Sequence, residues 1–263
     1  MFNFKSEEII YVEKDGIEYI QFKKLLKYGI KHAYTLKGEN IDFSFDQPLN
    51  SSSYKKLCEA LEIDINSVVQ PVQTHTDKVK CINKVMSSEE LQNVDGLITD
   101  KRNITLTSKN ADCILFLFYD PVKQVIANIH SGWRGTFQKI AEKAVIKMMN
   151  YYGCKAQDIL CFICPSIRED HFEVDEDVKE LCESIFHFTG RTSEFIKPGE
   201  IVEGIQKYNI DTVLINKILL LDLGIKEKNI IDSELCSVCN KDKIESVRVD
   251  KEKSRRATAI IML

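Results

Sequence analysis

Cys113-Ile114-Leu115-Phe116-Leu117-Phe118-Tyr119-Asp120-Pro121-Val122-Lys123-Gln124-Val125-Ile126-Ala127-Asn128-Ile129-His130-Ser131-Gly132-Trp133-Arg134-Gly135 holds two apolar runs around a polar tetrapeptide. Cys113 to Tyr119 and Gln124 to Ile129 each have the length and composition of a buried strand. Asp120-Pro121-Val122-Lys123 is a turn, because proline presets φ at its second position. The runs therefore pair as a hairpin, and Cys113 and His130 fall together at the end remote from the turn. Immediately afterwards Gly132 and Gly135 flank the start of a helical pattern, with Phe137, Ile140, Ala141, Ala144, Val145 and Met148 recurring at three and four and Gly153 as its stop.

Outward from this hairpin the chain alternates between strands and helices. Ile9 to Glu13 and Ile17 to Phe22 flank Lys14-Asp15-Gly16, a hairpin with an Asp-Gly turn. Ser51 to Leu61 reads as a helix capped by Ser51, with Tyr54, Leu57, Cys58 and Leu61 on one face. Short strands follow at Val68 to Val72, Lys78 to Val85, Gly96 to Thr99 and Ile104 to Ser108. Beyond the central hairpin come a strand at Asp158 to Ile163, helices at Asp175 to Phe188 and Asp211 to Leu223, and a terminal strand at Thr258 to Leu263. This order implies an α+β fold with a mixed sheet, organised as a single domain over residues 1–263.

The 263 residues carry 36 basic and 40 acidic side chains, a formal net charge of −4 without blocks of one sign, which argues against nucleic acid as a partner. The longest apolar run, Cys113 to Tyr119, is too short to span a bilayer, and the first residues show no secretory pattern. A cytoplasmic protein is the expectation, with its nine cysteines reduced.

Three side chains at the ends of apolar runs suggest chemistry: His75 in Gln73-Thr74-His75, Cys113 in Ala111-Asp112-Cys113, and His130. Two imidazoles and a thiolate suit Zn²⁺, and three protein ligands leave a fourth position for water or substrate. The alternative is three unrelated core residues. Gly132 and Gly135 at a helix start, with Arg134 between them, suit an anion. Asp112, taken as strand, would point away from the Cys113 thiol and serve as a proton shuttle or outer partner. His32 and Lys37 lie in a separate N-terminal stretch. The pairs Cys161/Cys164 and Cys236/Cys239 invite a four-cysteine site, but Cys161 to Cys164 lies in an apolar strand rather than on a turn, which disfavours it. Five histidines are too few for a copper oxidase with several metal centres.

Taken together, Gln73-Thr74-His75, Asp95-Gly96-Leu97-Ile98-Thr99, Ala111-Asp112-Cys113, Ile129 to Gly135, Pro165-Ser166-Ile167 with Phe172-Glu173-Val174, and Asp211 through Asn216 to Cys236-Ser237 give a specific order. The chain resembles the laccase-domain or polyphenol-oxidase (YfiH-type) family, whose members are purine nucleoside phosphorylases with adenosine deaminase activity. The resemblance implies a mixed-sheet α+β sandwich with helices outside, likened to certain cysteine hydrolases. It also implies a catalytic zinc on His75, Cys113 and His130. An Arg-x-Gly-Gly type loop of the family appears here as Lys37-Gly38-Glu39-Asn40, a Thr-Gly-Arg type stretch as Ser254-Arg255-Arg256-Ala257, and a Cys-Tyr pair as His171-Phe172. The expected partners are purine nucleosides and phosphate. The candidate catalytic residues are Asp112, Arg134 and His32, and the candidate substrate contacts are Lys37, Gln73, Gly132 and Gly135. Rival expectations are a metal-free cysteine hydrolase using Cys113 and His130, or a non-catalytic zinc or nucleoside-binding module.

Overall fold

The computed structural model describes residue 4 and residues 6–44 and 46–263. The central hairpin forms as the sequence predicts: Ile114–Asp120 pairs antiparallel with Val125–Ser131, in the register Leu115 to His130 and Asp120 to Val125. The Asp120 carboxylate accepts from the Val122 and Lys123 amides at 2.8 and 3.0 Å, so the acid holds the turn shut.

Every residue of both strands is buried, because the hairpin lies at the centre of two stacked layers. In spatial order its sheet runs Ile230–Asp232, Leu160–Ile163, Ile114–Asp120, Val125–Ser131, Gly96–Thr99 and Val79–Cys81. The other six-stranded sheet runs Ile9–Lys14, Ile17–Phe22, Lys31–Thr35, Ala257–Met262, Thr105–Asn110 and Val68–Val69. Leu115, Leu117 and Tyr119 pack with Phe22, Leu106 and Ile261 between the sheets. Alternation sends Ile114, Phe116 and Phe118 to the other face, against Ala144, Val145 and Met148 of helix Ile140–Tyr152 and Val213 and Leu220 of helix Thr212–Asp222. Helix Ser52–Leu61 covers the outer face of the other sheet through Tyr54, Leu57 and Cys58. The result is a helix–sheet–sheet–helix sandwich, as expected, with a small third sheet of Glu173–Val174, Ile205–Ile210 and Ile196–Val202 at one side.

Some expected elements differ in detail. The stretch after Gly132 is two helices, Trp133–Phe137 and Ile140–Tyr152, because Lys139 adopts a left-handed φ of 61° and breaks the ladder. Ser51 occupies the cap position, but its hydroxyl makes no cap bond. Strand Lys31–Thr35 and the hairpin of Ile196–Val202 with Ile205–Ile210 are additional. The Asp-Gly hairpin is correct: Asp15 and Gly16 both take positive φ, 54° and 75°, as a two-residue turn of this kind requires.

His32 sits on strand Lys31–Thr35, wholly buried between the sheets, which removes it from any cavity. Its Nδ1–H donates to the Ile30 carbonyl at 2.9 Å and its Nε2 accepts from the Phe22 amide at 2.7 Å. Burial pushes its pKa down to about 4, against the opposing effect of these bonds. The unfolded chain therefore binds the extra proton between pH 6.5 and about 4. Stability falls with pH across that window by about 3 kcal/mol from this group alone. Thermal melts from pH 7 to pH 4 should show a flatter decline in His32→Gln than in the wild type; parallel curves would remove His32 as the cause.

Candidate functional site

At the hairpin end remote from its turn, three segments converge. Cys113 precedes strand Ile114–Asp120, His130 is the penultimate residue of Val125–Ser131, and His75 arrives on a loop between the sheets' edge strands. Their ligand atoms all lie within 4.8 Å of one another. His75 Nε2 is 3.8 Å from Cys113 Sγ, and the two imidazoles meet edge to face at 4.9 Å between centroids. Tetrahedral coordination with ordinary Zn–S and Zn–N bonds places such atoms roughly 3.5 Å apart, so the group fits a metal with only small side-chain adjustment.

A buried carboxylate that the sequence reading did not single out as functional, Asp95, holds this arrangement. It accepts from His130 Nδ1 at 2.8 Å, from the amides of Thr74, His75 and Thr76 at 3.2, 3.0 and 2.8 Å, and from the Thr76 hydroxyl at 2.7 Å. The carboxylate only accepts, so His130 Nδ1 carries a proton and Nε2 is left to the Cys113 side, where it donates to the sulfur or, once it gives up its own proton, ligates a metal. Burial opposes its ionisation, but the bonds from His130 and Thr76 prevail and bring Asp95 down to about 2. The same bonds fix His75 at a φ of 64°, a left-handed conformation unusual for histidine. Burial opposes ionisation of Cys113 as well, yet hydrogen bonds from His130 and His75 bring it down to about 6. His130 moves up to about 9: burial lowers it, while Asp95 and Cys113 raise it by more. The thiolate that a metal or a nucleophilic role requires is thus favoured at neutral pH.

Gly132 serves this site through space rather than through its backbone angle. A Cβ there would lie 2.6 Å from His75 Cδ2 and 3.2 Å from Cys113 Sγ. Gly135 packs instead against Ile140, 3.3 Å from a notional Cβ.

The cluster opens on a cavity of about 460 Å³. Trp133, Phe172, Ile167 and Val247 give it apolar walls, and Lys109, Arg248, Lys251 and Arg256 give it positive charge. Asp112 also lines it, contrary to the expected strand alternation: the strand begins only at Ile114, and Asp112 takes a φ of 84° in a turn. Its carboxylate accepts from the Ser237 hydroxyl at 2.6 Å and the Arg248 amide at 2.8 Å.

The other candidates lie apart. Arg134 is exposed, with its guanidinium over the Trp133 ring at 4.2 Å, and does not line the cavity. Lys37 pairs with Asp250 at 2.6 Å in a neighbouring charged depression. Gln73 is buried and exchanges two hydrogen bonds of 2.8 Å with the Lys109 backbone, which anchors the His75 loop to strand Thr105–Asn110. Lys109 and Arg248 carried no local motif that marked them, and Arg256 was marked only within the stretch Ser254-Arg255-Arg256-Ala257; the topology brings all three to one cavity.

The same architecture occurs in solved structures. It superposes on YfiH of Bacillus licheniformis with a TM-score of 0.82 at 24% identity, covering 98% of this chain and all of that one. YlmD of Geobacillus stearothermophilus gives 0.79 at 22% identity, over 97% and 98% of the two chains. At such identities the likeness speaks for the fold. Membership comes from the sequence: residues 40–263 match the family described as multi-copper polyphenol oxidoreductase laccase, and the chain belongs to it. Similar proteins include a purine nucleoside phosphorylase of Staphylococcus aureus strain COL, 27% identical over 91% of this chain and 94% of that one. Another is the adenosine deaminase RL5 of an unknown prokaryotic organism, 31% identical over 73% of each.

Asp95→Asn should weaken divalent metal binding roughly 10–100-fold, because it loosens both histidines. A competitive chelator titration measures this, and unchanged affinity in a folded variant would refute the role given to Asp95. Gly132→Ala should likewise lower metal affinity far more than it lowers the melting temperature.

Proposed function

We propose that this chain is a zinc-dependent purine nucleoside phosphorylase acting on adenosine- and inosine-type nucleosides, with adenosine deaminase activity at the same centre. The supporting observation is that His75, Cys113 and His130 share one cavity with an apolar wall and a cluster of cations. The names of the similar phosphorylase and deaminase point the same way. His75, Cys113 and His130 would hold zinc, whose nitrogen and sulfur preferences they match better than the imidazole-rich sets of multi-copper sites. A bound zinc supplies Lewis acidity and lowers the pKa of a coordinated water.

The chain's own residues divide the remaining work. Trp133 and Phe172 offer flat surfaces to a purine. Lys109, Arg248, Lys251 and Arg256 offer the positive field a phosphate dianion needs, taking the part that sequence reading gave to Arg134. Of Asp112 and His32, either of which could donate a proton to the departing base, only Asp112 lines the cavity. Held by Ser237 and the Arg248 amide, it would move a proton to or from the purine as the glycosidic bond breaks. Gly132 leaves room for the ligand groups, and Lys37 and Gln73 support the walls from behind. The whole chain would act as one domain in the cytoplasm, where its free cysteines stay reduced.

The reaction is tested by incubating zinc-loaded protein with inosine or adenosine, with and without phosphate. Hypoxanthine or adenine together with a sugar phosphate is expected only when phosphate is present, and inosine is expected from adenosine in either case. Absence of all these products would reject the proposal. Burial lowers the Lys109 pKa to about 8, opposed by Asp42 and Asp46, so its cation is lost as pH rises through that value. The kcat/KM for phosphate should decline across the same range, and Lys109→Gln should raise the phosphate KM roughly tenfold or more and abolish that decline.

One observation favours a second reading. Cys113, His130 and Asp95 stand in the order of a nucleophile, its base and an orienting acid, the arrangement of a cysteine hydrolase. Alkylation separates the two: iodoacetamide should modify Cys113 slowly in zinc-loaded protein and quickly after chelation. Rapid alkylation of active protein that contains no zinc would favour the hydrolase.

A further inference from the structure

Outside the cavity, a second set of metal-ligating side chains converges. His171 Nε2, Cys236 Sγ and Cys239 Sγ all lie within 4.8 Å of one another, and His171 Nε2 is 3.1 Å from Cys239 Sγ. We propose that these three residues bind a second divalent metal of the zinc class, in a structural role distinct from the His75, Cys113 and His130 centre.

The local geometry suits such a site. Cys236-Ser237-Val238-Cys239 is a turn, with the Asn240 amide and side-chain amide donating to the Cys236 carbonyl at 3.1 and 2.8 Å. Two thiols two residues apart on a turn point toward a common centre, which an extended strand would not allow. Cys161 and Cys164, the partners a four-cysteine site would need, are buried elsewhere in the central sheet and on the residue after it. His171 fills the place from the one-turn helix Glu169–His171. Cys236 is buried, His171 half-buried and Cys239 exposed, so the remaining coordination position faces solvent. The carboxylate of Asp170 lies close enough for its charge to act on Cys239. Two thiolates already balance a divalent cation, with the Asp170 carboxylate adding negative charge nearby, and mixed nitrogen and sulfur donors select zinc over harder ions.

The position gives the metal a consequence. It would join the segment that carries Phe172, a cavity wall, to the turn whose Ser237 holds Asp112. The Ser237 amide already donates to the Ser166 carbonyl at 3.0 Å, so a metal clamp would reinforce an existing seam between these two segments. Its effect on the cavity is indirect, through the positions of Asp112 and Phe172.

Metal content of the full-length chain, loaded with zinc and then freed of excess, tests the proposal by elemental analysis. The wild type should retain two equivalents, Cys113→Ser one, and Cys113→Ser/Cys239→Ser none. Because Cys239 is exposed, its replacement should leave the fold intact, and circular dichroism checks this. Loading Cys113→Ser with Co²⁺ gives an independent readout: a thiolate-to-cobalt absorption band should appear and should vanish on adding Cys239→Ser. A wild type with one equivalent that Cys113→Ser abolishes, or a Cys113→Ser protein without a cobalt–thiolate band, would overturn it. These outcomes do not depend on nucleoside turnover, so failure of the proposed reaction would leave them readable.

Discussion

One buried carboxylate organises the site. Asp95 accepts five hydrogen bonds, four from the three consecutive residues Thr74, His75 and Thr76, and one from His130. Without them the loop bearing His75 would have three amides unpaired and a histidine in an unfavourable φ region. An unpaired carboxylate at zero exposure would in turn be strongly destabilising, so acid and loop need each other. Their mutual satisfaction converts a surface loop into a rigid ligand mount. It also engages His130 Nδ1, which leaves the second ring nitrogen to meet the Cys113 sulfur.

The sandwich explains why such a mount lies at a strand end. Both faces of the central hairpin are covered, one by the second sheet and one by two helices, so a polar side chain along its length needs partners within the protein. Asn128 illustrates this, donating to the Leu106 and Ala259 carbonyls at 3.2 and 2.9 Å and accepting from Ser108. Reactive groups therefore collect where strands stop and backbone leaves the layers. His75 and Asp112, both with positive φ, sit at such exits, and Gly132 leaves space between them for ring and sulfur. The strain is local, and the surrounding bonds from Asp95, Ser237 and Arg248 stabilise it.

This division also explains what the sequence showed. The hairpin was readable because continuous apolar runs and a proline turn are local signals, and Cys113 and His130 then met as a direct consequence of antiparallel pairing. His75 was readable as a residue type, but its place depended on Asp95, whose pairing spans loop, strand and ring. His32 misled because a histidine near a glycine gives no sign that both its nitrogens will be used by backbone within a core. Asp112 misled for a subtler reason: alternation applies inside a strand, and the strand starts two residues later. Arg134 stacks on Trp133 but stays exposed and outside the cavity lining, which its place between two glycines did not foretell.

The cavity cations show why net charge could not reveal a local cluster of positive side chains. A chain with a formal charge of −4 has no electrostatic signature for an anion. Yet Lys109 comes from an inner strand, Arg248 and Lys251 from short helical turns, and Arg256 from the approach to the terminal strand, and all line one cavity. Of these four, Arg248 and Lys251 are exposed and Arg256 is half-buried, while Lys109 is withdrawn from water. Its lowered pKa comes from burial, which Asp42 and Asp46 offset only in part, and records the cost of keeping a cation there. A dianionic ligand would relieve that cost in proportion to the charge it brings. The phosphate step of the proposed reaction rests on this local charge, which would favour negative charge developing near these side chains.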